Sequence, residues 1–468
     1  MTVLDKDRLF PTEPQVRALA RELYDGVSDL PIISPHGHTD PRWFAENDPF
    51  PDPTNLFVTP DHYVFRMLHS QGIPLETLGV PRVDGGESEQ DTRKIWRLFA
   101  QNYHLFRGTP SRLWIDHAFQ EVFGITQRLS ADTADAIYDQ IADCLGRDDF
   151  RPRALFERFN IEAISTTESA IDDLRWHKMI QGSGWGGKVV TAYRPDAVID
   201  PEFEGFTENI ATFGAMTGQD TNTWSGYLAA HRARRAEFKR YGATSSDHGH
   251  PTARTEDLPQ PQAEALFQKA LAGQCSAQEA DMFRGHMLTE MARMSLEDGL
   301  VMQIHPGSMR NHSGDVMARF GRDKGYDIPT RTDYVTALRP LLNAVGSDTR
   351  LTLILFTLDE SSYARELAPL AGVYPALKLG PAWWFHDSYE GMKRFREMTT
   401  ETAGFYNTVG FNDDTRAFCS IPARHDVARR VDCGYLATLI ATGRLDRDEA
   451  HEVAYDLTYR LAKKAYRL

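Results

Sequence analysis

Eight apolar runs of strand length, each closing in a polar cluster, recur along the chain. They are PIISPHGH (31–38), IEAISTTES (161–169), KVVTAYRPD (188–196), YGATSSDHGH (241–250), LVMQIHPGSMRN (300–311), RLTLILFTLDES (350–361), ALKLGPAWWF (376–385) and NTVGFNDDTR (407–416). Near-continuous Val, Ile and Leu within such runs predicts strands buried on both faces, as in a parallel sheet. Several intervals carry the 3.6-residue period instead: AIDDLRWHKMIQ (170–181), RTDYVTALRPLLNAV (331–345) and EGMKRFREMTTETAGFY (390–406). Strand and helix in alternation, eight times over, predicts an α/β chain folded as a (β/α)8 TIM-type barrel.

Some intervals are too long for a single crossover helix. Residues 39–160 hold several amphipathic stretches, among them DTRKIWRLFAQNYHLF and ADTADAIYDQIADCLG. They are expected to form a mainly helical insertion after strand one, packed over the barrel mouth, with residues 1–38 and 161–468 making the barrel. Residues 197–241 and 251–299 carry further helix, and RDEAHEVAYDLTYRLAKKAY closes the chain as a helix.

With 468 residues, 41% of them hydrophobic, the chain can bury a large core. Its formal net charge of −14 argues against nucleic acid and anionic membranes as partners, although local arginines can still draw a small anion. No run approaches the roughly 20 apolar residues that span a bilayer. The N-terminus lacks a signal-peptide layout. The four cysteines are scattered without a CxxC, as expected of a reducing cytoplasm.

In a parallel barrel the chemistry gathers at the C-terminal strand ends. Here those ends carry His36 and His38, Arg194, Asp247 with His248 and His250, His305 with Arg310, Trp383 and Trp384, and Asp413, Asp414 and Arg416. Residues i and i+2 of a strand face the same way. The HGH of strand one can therefore offer two imidazoles to one divalent ion, although the same tripeptide also reads as a turn with two surface histidines. Strand eight closes against strand one, so Asp414 is suited to complete a three-ligand site with an open position. Two-metal barrels usually bridge their ions with a strand-four lysine. SSDHGH has none, which favours a single ion.

Arg194, Arg310 and Arg416 suit an anionic, oxygen-rich substrate, since a guanidinium grips a carboxylate with two hydrogen bonds. Each could equally pair with a rim aspartate such as Asp196, Asp247 or Asp414. Tyr63, in DHYVFRML, could fold over the mouth as an acid/base group, acidified by nearby arginines, or simply pack. Trp383 and Trp384 could stack on a sugar ring or fill the rim. His305 and His248 could face substrate or stay within the core. GSGWGG (182–187) precedes a strand, so it fails as a dinucleotide-binding turn.

Taken together, HGHTDP (36–41), DHYVFRML (61–68), ISTTES (164–169), YRPD (193–196), SSDHG (245–249), MQIHPGSMRNHS (302–313), WWFHDSYEGM (383–392) and DDTRAFCSIPARHDVARR (413–430) resemble the uronate isomerases (glucuronate isomerases) of the amidohydrolase superfamily, over essentially the whole chain. The resemblance implies interconversion of D-glucuronate with D-fructuronate and of D-galacturonate with D-tagaturonate. Proton transfer would run through a cis-enediolate. It implies one zinc ion on His36, His38 and Asp414, and Arg194 stabilising the enediolate. Arg310 and Arg416 would hold carboxylate and hydroxyls beside Trp383, Trp384 and His248. Tyr63 or Asp414 would be the base, with His305 or His248 relaying protons. The partner expected is a small-molecule hexuronate, and the chain is expected to be a homo-oligomer. The alternative is a mononuclear metal-dependent hydrolase or decarboxylase of the amidohydrolase type, acting on a carboxylate substrate.

Overall fold

A computed structural model describes residues 4–468. Seven parallel strands pair in the order in which the pattern predicts them: β1 (Ile32–Ser34), β2 (Ile161–Ser169), β3 (Lys188–Arg194), β4 (Ser245–His248), β5 (Val301–Ile304), β8 (Leu353–Leu355) and β9 (Leu377–Leu379). β6 (Ser308–Met309) and β7 (Ile328–Pro329) form a separate antiparallel hairpin. The pattern had merged β6 into one long strand with β5. Gly307, at φ +93°, is where the chain turns away.

The eighth predicted strand, 407–416, is not a regular strand. Thr408 bridges to Leu379, and the Val409 amide donates to the Leu379 carbonyl at 3.1 Å. On the other side the His38 amide donates to the Thr415 carbonyl at 3.2 Å. The segment therefore spans from β9 to the end of β1 and completes the ring. Gly410 (φ +76°) and Asp414 (φ 42°) take it out of the extended region twice, which breaks the ladder. At Gly410 a Cβ would lie 2.8 Å from the Leu457 carbonyl oxygen, so a larger residue does not fit the bend.

β1 is also shorter than predicted. It stops at Ser34 because Pro35 has no amide to continue the ladder. His36 and His38 lie beyond it in irregular chain.

Helices follow the strands and cover the sheet. The longest, Ala277–Asp298, starts at a Ser276/Glu279 capping box and ends at Gly299 in the left-handed conformation. The helix expected over 170–181 forms only over Arg175–Gly182, and that over 331–345 only over Arg339–Val345. Between β1 and β2 the chain is helical, with Asp91 capping Thr92–Gln101 through the amides of Arg93 and Lys94. An aromatic core that includes Trp96, Phe99, Phe106 and Phe119 holds these helices together. Among the described residues no helix is long and apolar enough to cross a membrane.

One carboxyl is buried away from the site. Glu168 on β2 accepts a hydrogen bond from Thr191 and lies 3.8 Å from His177. Burial pushes its pKa up from 4.5 to about 8, against the opposing hydrogen bonds of Thr191 and Thr166. Between those two values the folded chain keeps a proton that the unfolded chain releases, so this group's contribution to stability falls as pH rises. Glu168→Gln mimics the protonated form. Its thermal midpoint relative to wild type should be near zero at about pH 5 and clearly higher at about pH 8.5. An identical pH dependence in both proteins would show that the carboxyl is ionised in the fold.

Candidate active site

The C-terminal ends of the strands open on a chamber of about 600 Å3. His38, Arg194, Asp196, His305, Trp383, Asp414 and Arg416 line it from the barrel, and Asp61, His62 and Tyr63 line it from the helical segment after β1. Asp61 brings the last group in by capping the helix His62–His69 through the Tyr63 amide.

His36 lies under the chamber floor, 1% exposed. Its Nε2 is 3.5 Å from Asp414 Oδ1, and His38 Nε2 is 3.4 Å from the same oxygen. The candidate ligand atoms of the three residues all lie within 4.8 Å of one another. Both nitrogens of His36 and Oδ1 of Asp414 are buried without a hydrogen-bond partner. Groups so placed point at a common space and not at each other, which is costly unless a cation fills it. Two imidazoles and a carboxylate suit a divalent transition ion. Burial pushes His38 down to about 3, so it is neutral and able to coordinate. Burial opposes ionisation of Asp414, but the proximity and charge of His36, with His38 and His305, hold its carboxyl well below the ordinary range.

Asp247 sits at the centre of the next layer, fully buried at the end of β4. His305 Nε2 approaches its Oδ1 at 2.8 Å, Arg194 Nη1 its Oδ2 at 3.5 Å, and His36 Nδ1 its Oδ1 at 3.8 Å. Burial resists its ionisation, yet the charges of His305, His36 and Arg194 prevail and keep it a carboxylate. Arg194 also donates through Nε to Asp196 at 2.8 Å. Gly249 makes room for this pair, since a Cβ there would clash with Arg194 Nη2 and lie 3.0 Å from Asp196 Oδ2.

Asp196, His248 and His250 form a second group of possible ligands. Its carboxylate is already taken by Arg194 and by the Gly249 amide at 3.2 Å. His248 does not line the chamber; its Nε2 lies 3.2 Å from Ser246 Oγ, and His250 faces the cavity instead.

Trp383 packs edge-on against His36 and His305, with centroids 5.5 and 5.3 Å apart. Arg310 is bonded to Asp327 at 2.9 Å and lies over the Trp384 ring at 5.0 Å. Arg416 is exposed on the chamber wall and, among the described residues, has no carboxylate partner. Tyr63 is not acidified. Burial, then the charge of Asp387, raises its phenol well above 10 and outweighs Arg424 and Arg66.

Asp61 and Arg424 are among the lining groups that carried no separate prediction. Asp61 is signalled by its place before a helix. Arg424 is buried, donates to Asp387 at 2.8 Å and to the Asp413 carbonyl at 3.1 Å, and stacks on Trp114 at 3.6 Å. It reaches the chamber from a helix after the last strand, where no strand-end rule would find it.

If His36, His38 and Asp414 hold the cation, Asp414→Asn should cut the bound divalent metal per chain by about tenfold or more, read by elemental analysis after dialysis. Full occupancy in the variant would mean that another carboxylate is the ligand.

Comparison with known proteins places this arrangement. The glucuronate isomerase family profile matches residues 12–466. A uronate isomerase of Rhizobium meliloti (strain 1021) is 69% identical over 466 residues, covering 100% of this chain and 99% of its own. The crystal structure of glucuronate isomerase from Caulobacter crescentus superposes with a TM-score of 0.97 at 60% identity, covering 99% of this chain and 97% of the other. That of a uronate isomerase from Thermotoga maritima gives 0.92 at 26% identity over 100% of both chains. By sequence and by fold, the chain belongs to the glucuronate isomerase family.

Proposed function

We infer that the chain is an aldose–ketose isomerase of hexuronates, interconverting D-glucuronate with D-fructuronate and D-galacturonate with D-tagaturonate. The observation that carries this reading is one chamber combining a His–His–Asp ligand set with guanidinium groups, one of which, Arg416, lacks a carboxylate partner. A substrate with a carboxylate at one end and a carbonyl–hydroxyl pair at the other matches both. The hydrolase or decarboxylase alternative is not favoured by relatives 69% and 68% identical that are uronate isomerases.

Arg416 and Arg310 grip the uronate carboxylate and hydroxyls, and Trp383 and Trp384 wall the sugar. Asp414, already ionised, accepts the proton from C2 and returns it to C1. Tyr63, held protonated, donates a hydrogen bond to the enediolate oxygens. The Arg194 guanidinium, fixed by Asp196 and Asp247, stabilises the developing negative charge without reorganising. His305, against Asp247, relays protons between the sugar oxygens and the interior. A single zinc ion held by His36, His38 and Asp414 would supply positive charge to polarise a sugar oxygen. The prior pairing of Asp196 with Arg194 supports one ion over two.

Residues 39–160 form a unit distinct from the barrel of 1–38, of which 1–3 lie outside the described residues, and 161–468, and cover the mouth with Tyr63. Four free cysteines fit a reducing cytoplasm, where we expect the chain to act as a homo-oligomer.

Arg194→Met should lower kcat by about 10²–10³ with KM changed little, as for loss of one transition-state donor. An unchanged kcat would remove Arg194 from that role. Tyr63→Phe should lower kcat while leaving metal content at the wild-type value, which separates it from Asp414. Proton NMR of D-glucuronate in D2O should show ketose forming. Ketose from neither hexuronate would overturn the reading.

A further inference from the structure

A second cleft, of about 1030 Å3, opens at the other end of the barrel. Ile32, the first residue of β1, and Asn160, just before β2, line it, so it lies at the N-terminal ends of the strands. Its walls are the helices Pro14–Asp25 and Ile421–Ala441.

The interior of this cleft is unbalanced in charge. Arg8 and Arg430 both pair with Asp426, at 2.5 and 2.9 Å, and Tyr24 donates to the same carboxylate. Arg429 is 8% exposed and, among the described residues, has no carboxylate partner; its guanidinium donates there to the carbonyls of Ser28, Leu30 and Pro31. Arg8 and Arg430 thus share one buried carboxylate, and Arg429 pairs with none. Of the other acids of the cleft, half-buried Asp7 is already paired with Arg21, and Asp25, Asp29 and Glu121 stand exposed at the rim, where solvent screens them. His117 and His425 also face the cleft, and burial favours their neutral forms. At the rim Arg158 uses Nη2 on the carbonyls of Glu121 and Val122 and has two guanidinium nitrogens without a protein partner.

Uncompensated buried charge is expensive, and the residue type is the one best suited to planar, two-point recognition of oxyanions. The cleft is large enough for a molecule of metabolite size. We propose that it is a binding site for a small oxyanion, a carboxylate or phosphate compound, separate from the substrate chamber. The anion contacts Arg158 at the entrance and the Arg8/Arg430 pair within.

Isothermal titration of the metal-loaded enzyme with inorganic phosphate, and separately with succinate, tests this. At least one should bind saturably, and which of them binds more tightly names the ligand chemistry. Arg158→Gln, an exposed change that the fold tolerates, and Arg8→Gln should each weaken that binding by about tenfold, as expected for loss of a charge-assisted hydrogen bond. Arg416→Met, in the other chamber, should leave it unchanged. Absence of saturable binding by either anion overturns the proposal. So does binding that is lost with Arg416 and retained in both Arg158→Gln and Arg8→Gln.

Discussion

The architecture turns on burying charge at the rim of a parallel barrel. Asp414 and Asp247 are held as carboxylates in a place where burial alone would protonate them, because His36, His38, His305 and Arg194 surround them. None of these groups could be buried singly. They arrive from the ends of β1, β3, β4 and β5 and from the closing segment, so the barrel must close in the correct register for any of them to be tolerated. The site and the closure of the fold are one constraint. The His38–Thr415 backbone hydrogen bond, which joins the first strand end to the last segment, also sets His38 beside Asp414.

Backbone irregularity does much of the aiming. Pro35 ends β1 immediately before HGH begins, and the positive φ of Asp414 turns its carboxylate back toward the histidines. A non-glycine residue in that conformation costs energy, and asparagine and aspartate bear it best. The same regions carry polar atoms without partners. Strain and unsatisfied groups coincide at the ligand set, where a bound ion repays both.

The sequence made the barrel legible because eight apolar runs separated by helical periods leave few alternatives. It placed His36, His38 and Asp414 together through the rule that strand one meets strand eight. What it could not supply were local departures from regular geometry. The eighth run reads as a strand, yet Gly410 and Asp414 make it a bent connector. Nor could it rank competing electrostatic effects. Tyr63 has arginines nearby, which suggested acidification, but burial and Asp387 reverse the sign. His248 and His250 are indistinguishable in SSDHGH, and only the turn after β4 decides which of them faces the chamber. Arg424 comes from a helix, so no pattern of strand ends contains it.

The arginines divide by what already occupies them. Arg194 is paired with Asp196 and Asp247, and a cation so held has little freedom to follow a ligand; the role proposed for it needs only a guanidinium preorganised for charge that appears later. Arg310 is tied to Asp327 and spread over Trp384, so it presents an edge rather than a full fork. Arg416 is exposed and, among the described residues, has no carboxylate partner, which leaves its guanidinium free for the role proposed for it. Because it lies two residues after Asp414, the carboxylate grip proposed for Arg416 and the candidate ligand set are governed by one short loop. A shift in that loop would alter both together, which ties substrate orientation to the same backbone bend that closes the barrel.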